Sequence, residues 1–438
     1  MEPEPEARED VARQTFERDA GAAGLTLPAA HRANPWVVAG VLVVVVVASL
    51  AIGRSTDWGL GPRSGPPSAQ VFGPQQCTSA PSFLSVWLNG SVDPAVGGST
   101  VQALLAWGAN FSSWSGGCVH VAANQSEGSG YVPALSERAA VFATTDAPPN
   151  STEVRSLGAP VDLVPTAVVP VAVVYHLPGV GGGLRLNGST LAGIFNGSIR
   201  SWADPAIQAL NPGVNLSGLP AVTAVEVGSP SEATLDFTTY LARADPAWNA
   251  SVGVGAQVRW PVGATETTGD ALESYVAATP GAIGFVASGP ALPVGLSVAS
   301  LQDAAGGFVL PGPEGATSAA AGVANGSAAS SHDWANVTLV NAPGAGAYPV
   351  CGLLYVAVYH DLGTAYAGSL SPTNGTWLLS FLWWILTDGQ NTTGAEGLGP
   401  LPASFALLGQ QVLEGVQYNG ASLLEPGEGG EGGETGEF

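Results

Sequence analysis

The sequence predicts an α/β fold preceded by one membrane-spanning helix. Two observations carry that expectation. Between residues 83 and 424, strand-like apolar runs alternate with amphipathic segments, the pattern of strands joined by helical crossovers, which implies a parallel α/β architecture. Ahead of them, Pro35 to Gly53 (P-W-V-V-A-G-V-L-V-V-V-V-V-A-S-L-A-I-G) carries no charge over 19 residues, about one bilayer crossing for a helix.

The elements follow in order. Strands are expected at Phe83–Leu88, Val119–Ala122, Ala140–Ala143, Thr166–Tyr175, Ala221–Val227, Ala282–Phe285 and Gly352–Tyr359. Helices are expected at Val101–Phe111, Thr190–Phe195, Thr234–Ala244, Asp270–Ala278 and Trp377–Thr387. The run W-L-L-S-F-L-W-W-I-L from Trp377 to Leu386 is strongly apolar but only ten residues long. That length suits a core-facing helix rather than a second span.

Outside the alternating body, residues 1–34 form an acidic tail, expected on the cytoplasmic side. They exceed the leader of a secretory signal peptide, so residues 35–53 read as an uncleaved signal anchor; cleavage after A-S-L-A-I-G is the alternative. Residues 54–79 are rich in Gly, Pro and Ser and read as a stalk. Residues 425–438 are a low-complexity Gly/Glu tail, expected to be disordered.

Charge and sequons place the bulk of the chain. Arg32 and Arg54 flank the anchor evenly, so the positive-inside rule does not orient it. Twelve N-x-[ST] sequons do: Asn89, Asn110, Asn124, Asn150, Asn187, Asn196, Asn215, Asn249, Asn325, Asn336, Asn374 and Asn391 all follow the apolar segment. That density predicts a glycosylated exterior face; a bias toward Asn-Gly-Ser turns is the alternative. The anchor lacks a lipid-attachment cysteine, a combination that suits an archaeal-type envelope. The formal net charge is −22, there is no lysine, and Arg259 is the last arginine, which excludes a nucleic-acid partner.

Cysteine and histidine usage restrict the chemistry. Of Cys77, Cys118 and Cys351, the exterior setting allows a Cys77–Cys118 disulfide. Cys351, in an apolar run, is expected to be a buried thiol. Five scattered histidines and the absence of C-x-x-C or H-E-x-x-H predict no metal site. No cofactor motif and no nucleophile–base pair are evident either, so an enzyme is not expected.

Three loops attract attention. Gly128-Ser129-Gly130 follows a strand and precedes a helix; such a loop can offer backbone N–H groups and a hydroxyl to an oxyanion, or be an ordinary turn. In F-A-T-T-D-A-P-P, Phe142 to Pro149, Asp146 either caps a helix or accepts a proton from a ligand. In G-S-P-S-E-A-T-L-D-F-T-T-Y-L, Gly228 to Leu241, small polar residues open a helix, where free N–H groups and the dipole favour an anion.

Together these stretches resemble the phosphate-binding proteins of ABC phosphate importers. The likeness covers most of residues 83–424. It rests on L-N-G-S-T-L-A-G-I-F-N-G (186–197), I-R-S-W-A-D-P-A-I (199–207) and L-N-P-G (210–213), on D-F-T-T-Y-L (236–241), Trp248 and V-R-W-P-V-G (258–263), on T-P-G-A-I-G-F (279–285), on Tyr348-Pro349-Val350, and on the Phe381–Gln390 helix. The resemblance implies a two-domain, type II periplasmic-binding-protein-like fold with a crossover-strand hinge. Domain I would comprise 80–172 and 350–424, domain II 173–349, with crossovers near Val169–Tyr175 and Tyr348–Tyr359.

The same resemblance implies a ligand site in the interdomain cleft. Ser129 matches the family's Gly-Ser loop, with the Gly130 backbone beside it. Asp146 matches the carboxylate of the Ser/Thr-Asp-Ala-Pro motif, which selects protonated phosphate over sulfate. Thr100, in Gly98-Ser99-Thr100, stands near the family's Gly-x-Thr-Phe. The fourth loop departs from its pattern, Arg-x-Asp-Gly-Ser-Gly-Thr. Ser231 matches, but Val227 holds the Arg position, Ser229 the Asp, Pro230 and Glu232 the two glycines, and Ala233 the Thr. One cation is lost and one carboxylate is added, and Tyr131 replaces a small residue of the first loop. The implied function is a membrane-anchored extracellular receptor for phosphate or a related oxyanion, partnered by an ABC permease. The altered loop leaves two alternatives: a receptor for a less anionic ligand, and a glycosylated surface or adhesion protein on a repurposed fold.

Overall fold

The computed structural model describes residues 86–92, 98–125, 131–287, 295–324, 334 and 337–424, all of them within the unit Pro66–Phe438. The expected anchor, stalk and two terminal tails lie outside the described residues. Among the described residues no helix is long and apolar enough to cross a membrane.

The first part of the chain alternates strand and helix: β1 (Val86–Val92), α1 (Gly98–Trp114), β2 (Val119–Gln125), α2 (Tyr131–Ser136), β3 (Phe142–Thr145) and α3 (Ser151–Leu157). β1 pairs in parallel with both β2 and β3. Gly90 of β1 sits under the Phe142 ring, and a Cβ there would come within 2.4 Å of it. A glycine is therefore required where the two strands meet.

β4 (Val161–Tyr175) is buried from Leu163 onward, so it reads as a continuous apolar run rather than an alternating one. Its first part pairs antiparallel with β12 and its last part, from Val171, with β8. Two prolines interrupt it without breaking it. Pro165 lies opposite Tyr355, where the register of β12 slips, and Pro170 lies opposite Cys351, where β12 begins. Both positions tolerate a missing N–H.

Beyond β4 come β5 (Arg185–Leu186), α4 (Gly188–Phe195), α5 (Pro205–Leu210), β6 (Thr223–Val227), α6 (Glu232–Ala244), α7 (Pro246–Ser251), β7 (Ala264–Glu266), α8 (Gly269–Ala278), β8 (Ala282–Ala287), β9 (Ser297–Val298), β10 (Ser300–Gln302), β11 (Phe308–Val309) and α9 (Pro313–Ala324). The chain returns through β12 (Cys351–Tyr359) to α10 (Leu362–Tyr366), α11 (Pro372–Leu386), α12 (Gln390–Thr393), α13 (Ala403–Gly415) and the small hairpin β13 (Gln417–Tyr418) and β14 (Ala421–Ser422).

The main sheet has the order β2-β1-β3-β12-β4-β8-β6-β7, with β9 also on β4. The expectation of a parallel sheet needs correction: β12 runs antiparallel to β3 and β4, and β8 antiparallel to β4. The reason is the path. The chain leaves one half of the sheet through β4 and comes back through β12 alongside it in the opposite sense. The expected strand at Ala140–Ala143 also lies two residues later, because Arg138 takes a left-handed φ of 60° and delays the entry.

α11 is buried from Trp377 to Leu386 and packs Trp377, Phe381 and Trp384 around Phe111 of α1. It is the core helix that its length suggested. Cys118 is disulfide-bonded and Cys351 is a buried free thiol; Cys77 lies outside the described residues.

Candidate functional site

The site is built at the start of α6, where β6 hands the chain to a helix. Gly228 follows β6, and its N–H donates to Glu266 O at 2.9 Å. A Cβ there would meet Thr265 at 2.7 Å, so only glycine lets the two strand ends close. Ser231 then caps α6. Its Oγ accepts from Thr234 N at 3.1 Å and contacts Thr234 Oγ1 at 2.9 Å. The hydroxyl thereby satisfies one of the orphan N–H groups of the first turn. Ser231→Ala is expected to cost about 0.5–2 kcal/mol of stability, the range for losing such a cap. Thermal unfolding of the variant measures it; an unchanged midpoint would show that the cap is idle.

Two acids project from the next turns of α6. Glu232 is its first residue and Asp236 stands four residues on, so both share one helix face. Each is half-buried. Burial pushes the Glu232 carboxyl up to about 7, and Glu153 of α3 adds to this. Asp236 is raised well above the ordinary range, first by burial, then by Glu232 and Asp146, while Arg243 opposes them. Its Oδ2 lies so close to Gly352 of β12 that a Cβ there would come within 2.6 Å. Tyr355, on the same strand, has its hydroxyl raised first by burial and then by Asp236, Glu232 and Asp146.

Asp146 comes from the other half of the sheet. It follows β3, is half-buried, and its charge reaches both Asp236 and Tyr355. It is not a helix cap: Asn150 caps α3, in a capping box with Glu153. The turn around Asp146 is held by Thr145, whose hydroxyl donates to Ala147 O at 2.9 Å and accepts Ala147 N at 3.2 Å. Residues 146 and 236, distant in sequence, are therefore within electrostatic reach of each other beside β12.

The other expected site residues fare differently. Thr100 is fully buried in the first turn of α1. Ser129 and Gly130 lie outside the described residues. Tyr131 is buried as the first residue of α2. Val227, half-buried, packs on the small cluster of Val225, Leu272 and Val276. Three arginines elsewhere are engaged: Arg138 donates to Leu135 O and Ala365 O and lies over Tyr359, and Arg200 donates to Gly197 O. Arg243 donates to Val340 O. Among the described residues no group of acids, histidines and cysteines could hold a metal ion.

Sequence reasoning did not single out Asp236, Gly352 or Tyr355. For Asp236 a signal existed, because its spacing of four from Glu232 puts both on the face that α6 presents to the seam. Gly352 and Tyr355 had none, since only the return of β12 brings them there.

The comparisons bear on this arrangement. A family model described as a PBP superfamily domain matches residues 96–388. A phosphate-binding protein PstS of Xylella fastidiosa is 31% identical over 335 residues, covering 75% of this chain and 85% of the relative. This chain belongs to the PstS family, within the PBP superfamily. The PstS protein of Methanocaldococcus jannaschii is 31% identical over 258 residues, 56% of this chain and 65% of that one. Among solved structures, a phosphate-binding protein from Stenotrophomonas maltophilia has a TM-score of 0.51 at 18% identity, covering 75% of this chain and 93% of that one. That likeness concerns the fold.

Proposed function

We propose that the chain is a solute-binding protein of the ABC-importer type that takes up phosphate or a related oxyanion between two lobes. The lobes are residues 80–172 with 350–424, and residues 173–349, hinged where β4 and β12 cross. The observation that carries this reading is that Asp146, just after β3, lies within electrostatic reach of Asp236 in the N-terminal turns of α6, whose first turn Ser231 caps. A helix N-terminus favours an anion. A carboxylate opposite it tolerates an oxyanion that keeps a proton and repels one that has none. The relatives' names point the same way.

In this reading Ser231 and Asp146 face the ligand, Ser129 and Gly130 complete the grip from the loop before α2, and Thr100 supports it from beneath. An ABC permease receives the ligand. Residues 35–53 anchor the protein as a single-pass cell-membrane protein, with the bulk outside. The exposure of Asn110, Asn150, Asn215, Asn249 and Asn391 supports a glycosylated exterior, since none of these acceptors needs the fold to open.

The test is selectivity. Equilibrium dialysis of the full chain with labelled phosphate is expected to show saturable one-to-one binding that sulfate does not displace. Asp146→Asn removes the repulsion of an unprotonated oxyanion, and sulfate competition is expected to rise by roughly tenfold or more, as for a lost charge contact of one to two kcal/mol. If the variant discriminates as the parent does, Asp146 is not the selecting group.

A further inference from the structure

A cavity of about 380 Å³ opens at the other end of β6 from the candidate site. Its walls come from the turn after α4, from residues 222–224 where β6 begins, from residues 262–264 where β7 begins, and from Tyr275 of α8. Ser231 and α6 follow the opposite end of the same five-residue strand. At about 3.3 Å per residue, roughly 13 Å of strand separates the two places. The volume falls in the range of pockets that take small organic ligands.

The lining is of two kinds. Ile194, Ile199 and Val262 give it aliphatic surface. Val262 packs so closely on Gly197, at a φ of 79°, that a Cβ there would come within 2.7 Å of it, so this wall is set by packing. Arg200, Thr223 and Tyr275 give it polar groups. The Arg200 Nε donates to Gly197 O at 2.8 Å, which orients the guanidinium and leaves its two terminal nitrogens without a protein partner among the described residues. The Thr223 and Tyr275 hydroxyls likewise bond to nothing among those residues. Acids outnumber basic residues 34 to 12 in this chain, yet no described acid pairs with the exposed Arg200. Glu226, whose Oε2 abuts Gly263, is sealed behind that wall and does not occupy the fork.

We propose that this cavity is a second ligand site, which takes a small organic carboxylate with a branched aliphatic body. The two terminal nitrogens of Arg200 present parallel N–H groups that match the two oxygens of a carboxylate, and the Thr223 and Tyr275 hydroxyls are further donors on the same lining. The aliphatic body lies on Ile194, Ile199 and Val262, where burial of apolar surface adds to the charge contact. A tetrahedral oxyanion fits less well, because oxygens turned toward those three side chains would find no donor, and an unpaired buried polar atom is costly. The site is independent of the oxyanion reading of the cleft.

The experiment is a calorimetric titration of the full chain with 4-methylpentanoate, and separately with its uncharged amide. One-to-one binding of the carboxylate with a dissociation constant of roughly 0.1–3 mM is expected for a ligand of this size. The amide, which lacks the charge-assisted pair, is expected to bind about tenfold or more weakly. Arg200→Gln is expected to weaken the carboxylate by about tenfold or more and to bring it level with the amide. Arg200→Lys, which keeps the charge without the fork, falls between. Val262→Trp is expected to abolish binding by filling the cavity; where it disturbs folding, Arg200→Gln, at an exposed position, still decides. Inorganic phosphate added to the loaded chain is expected to leave the carboxylate bound. No heat of binding at about 10 mM carboxylate, an affinity that Arg200→Gln leaves unchanged, or displacement by phosphate at equal concentration overturns the proposal. None of these results bears on phosphate binding beside β12.

Discussion

Replacing Phe237 by alanine is expected to destabilise the protein by about 3–5 kcal/mol, the range for deleting a buried phenylalanine ring. Phe237 is fully buried. Its ring stacks on Phe285 of β8 at 4.2 Å and 18°, and meets Phe195 of α4 edge-on at 5.0 Å. Trp260 closes the group against Phe195 and Phe285. Aromatic pairs of this geometry add to the area they bury, and neighbouring rings cannot collapse into the void without leaving their own contacts. The substitution reaches further than stability, because Phe237 adjoins Asp236 and fixes how far α6 reaches toward β12. Urea unfolding with a phosphate titration on the folded fraction measures both effects. A loss below about 1 kcal/mol would mean that the aromatic group does not hold α6 on the sheet.

The second large effect is a dependence of stability on pH. Glu226 of β6 is 2% exposed. Its Oε1 accepts from Thr265 Oγ1 at 2.9 Å, while Oε2 has no hydrogen-bond partner. Burial raises it from 4.5 to about 7, with the Thr265 bond opposing. Glu232 and Asp236 are raised too. A carboxyl raised in the folded state holds its proton more tightly there than in the unfolded chain. Its contribution is therefore complete below about pH 4.5 and is lost as pH rises through about 7. Asp361 works in the opposite sense. Its carboxylate accepts from Thr364 N, Asn419 N and Gly420 N, which lowers it, so its contribution fades only in stronger acid. The stability maximum is expected on the acid side of neutrality. Glu226→Gln is expected to add roughly 1–2 kcal/mol at pH 8 and almost nothing near pH 4.5, an amount kept below the full shift because polar burial is screened. Denaturant midpoints at the two pH values decide it; equal effects at both would remove Glu226 as a source.

Much of this molecule is legible in its sequence because apolar periodicity is a local property. The α6 expectation at Thr234–Ala244 begins two residues after the true start at Glu232, and β12 begins one residue before the expected Gly352. The run Trp377–Leu386 was separable from a membrane span by length alone. What local pattern does not encode is direction. β4 and β12 look like any buried strand, and only their side-by-side path makes the sheet mixed. The helix α9 lacks a clear stripe, since Ala and Gly fill most of it, so apolar periodicity does not mark it.

The site divides along the same line. Asp146 and Ser231 were legible because each sits in a short motif. Asp236 acquires its character only when Gly352 closes over it, and the glycine is essential because any side chain at 352 would enter the carboxyl's space. Val227 shows the converse: the sequence sets a valine where the resembling motif has an arginine, and the structure packs that valine, half-buried, on Val225 and Leu272.

The most direct test is a crystal structure of the full chain grown with inorganic phosphate at about pH 5. The account predicts one phosphate in the seam beside β12, within hydrogen-bond distance of Asp146 and the Ser231 end of α6, about 2.5–3.2 Å away. A seam that stays free of phosphate under those conditions, or a phosphate gripped by an arginine elsewhere in the chain, would contradict it.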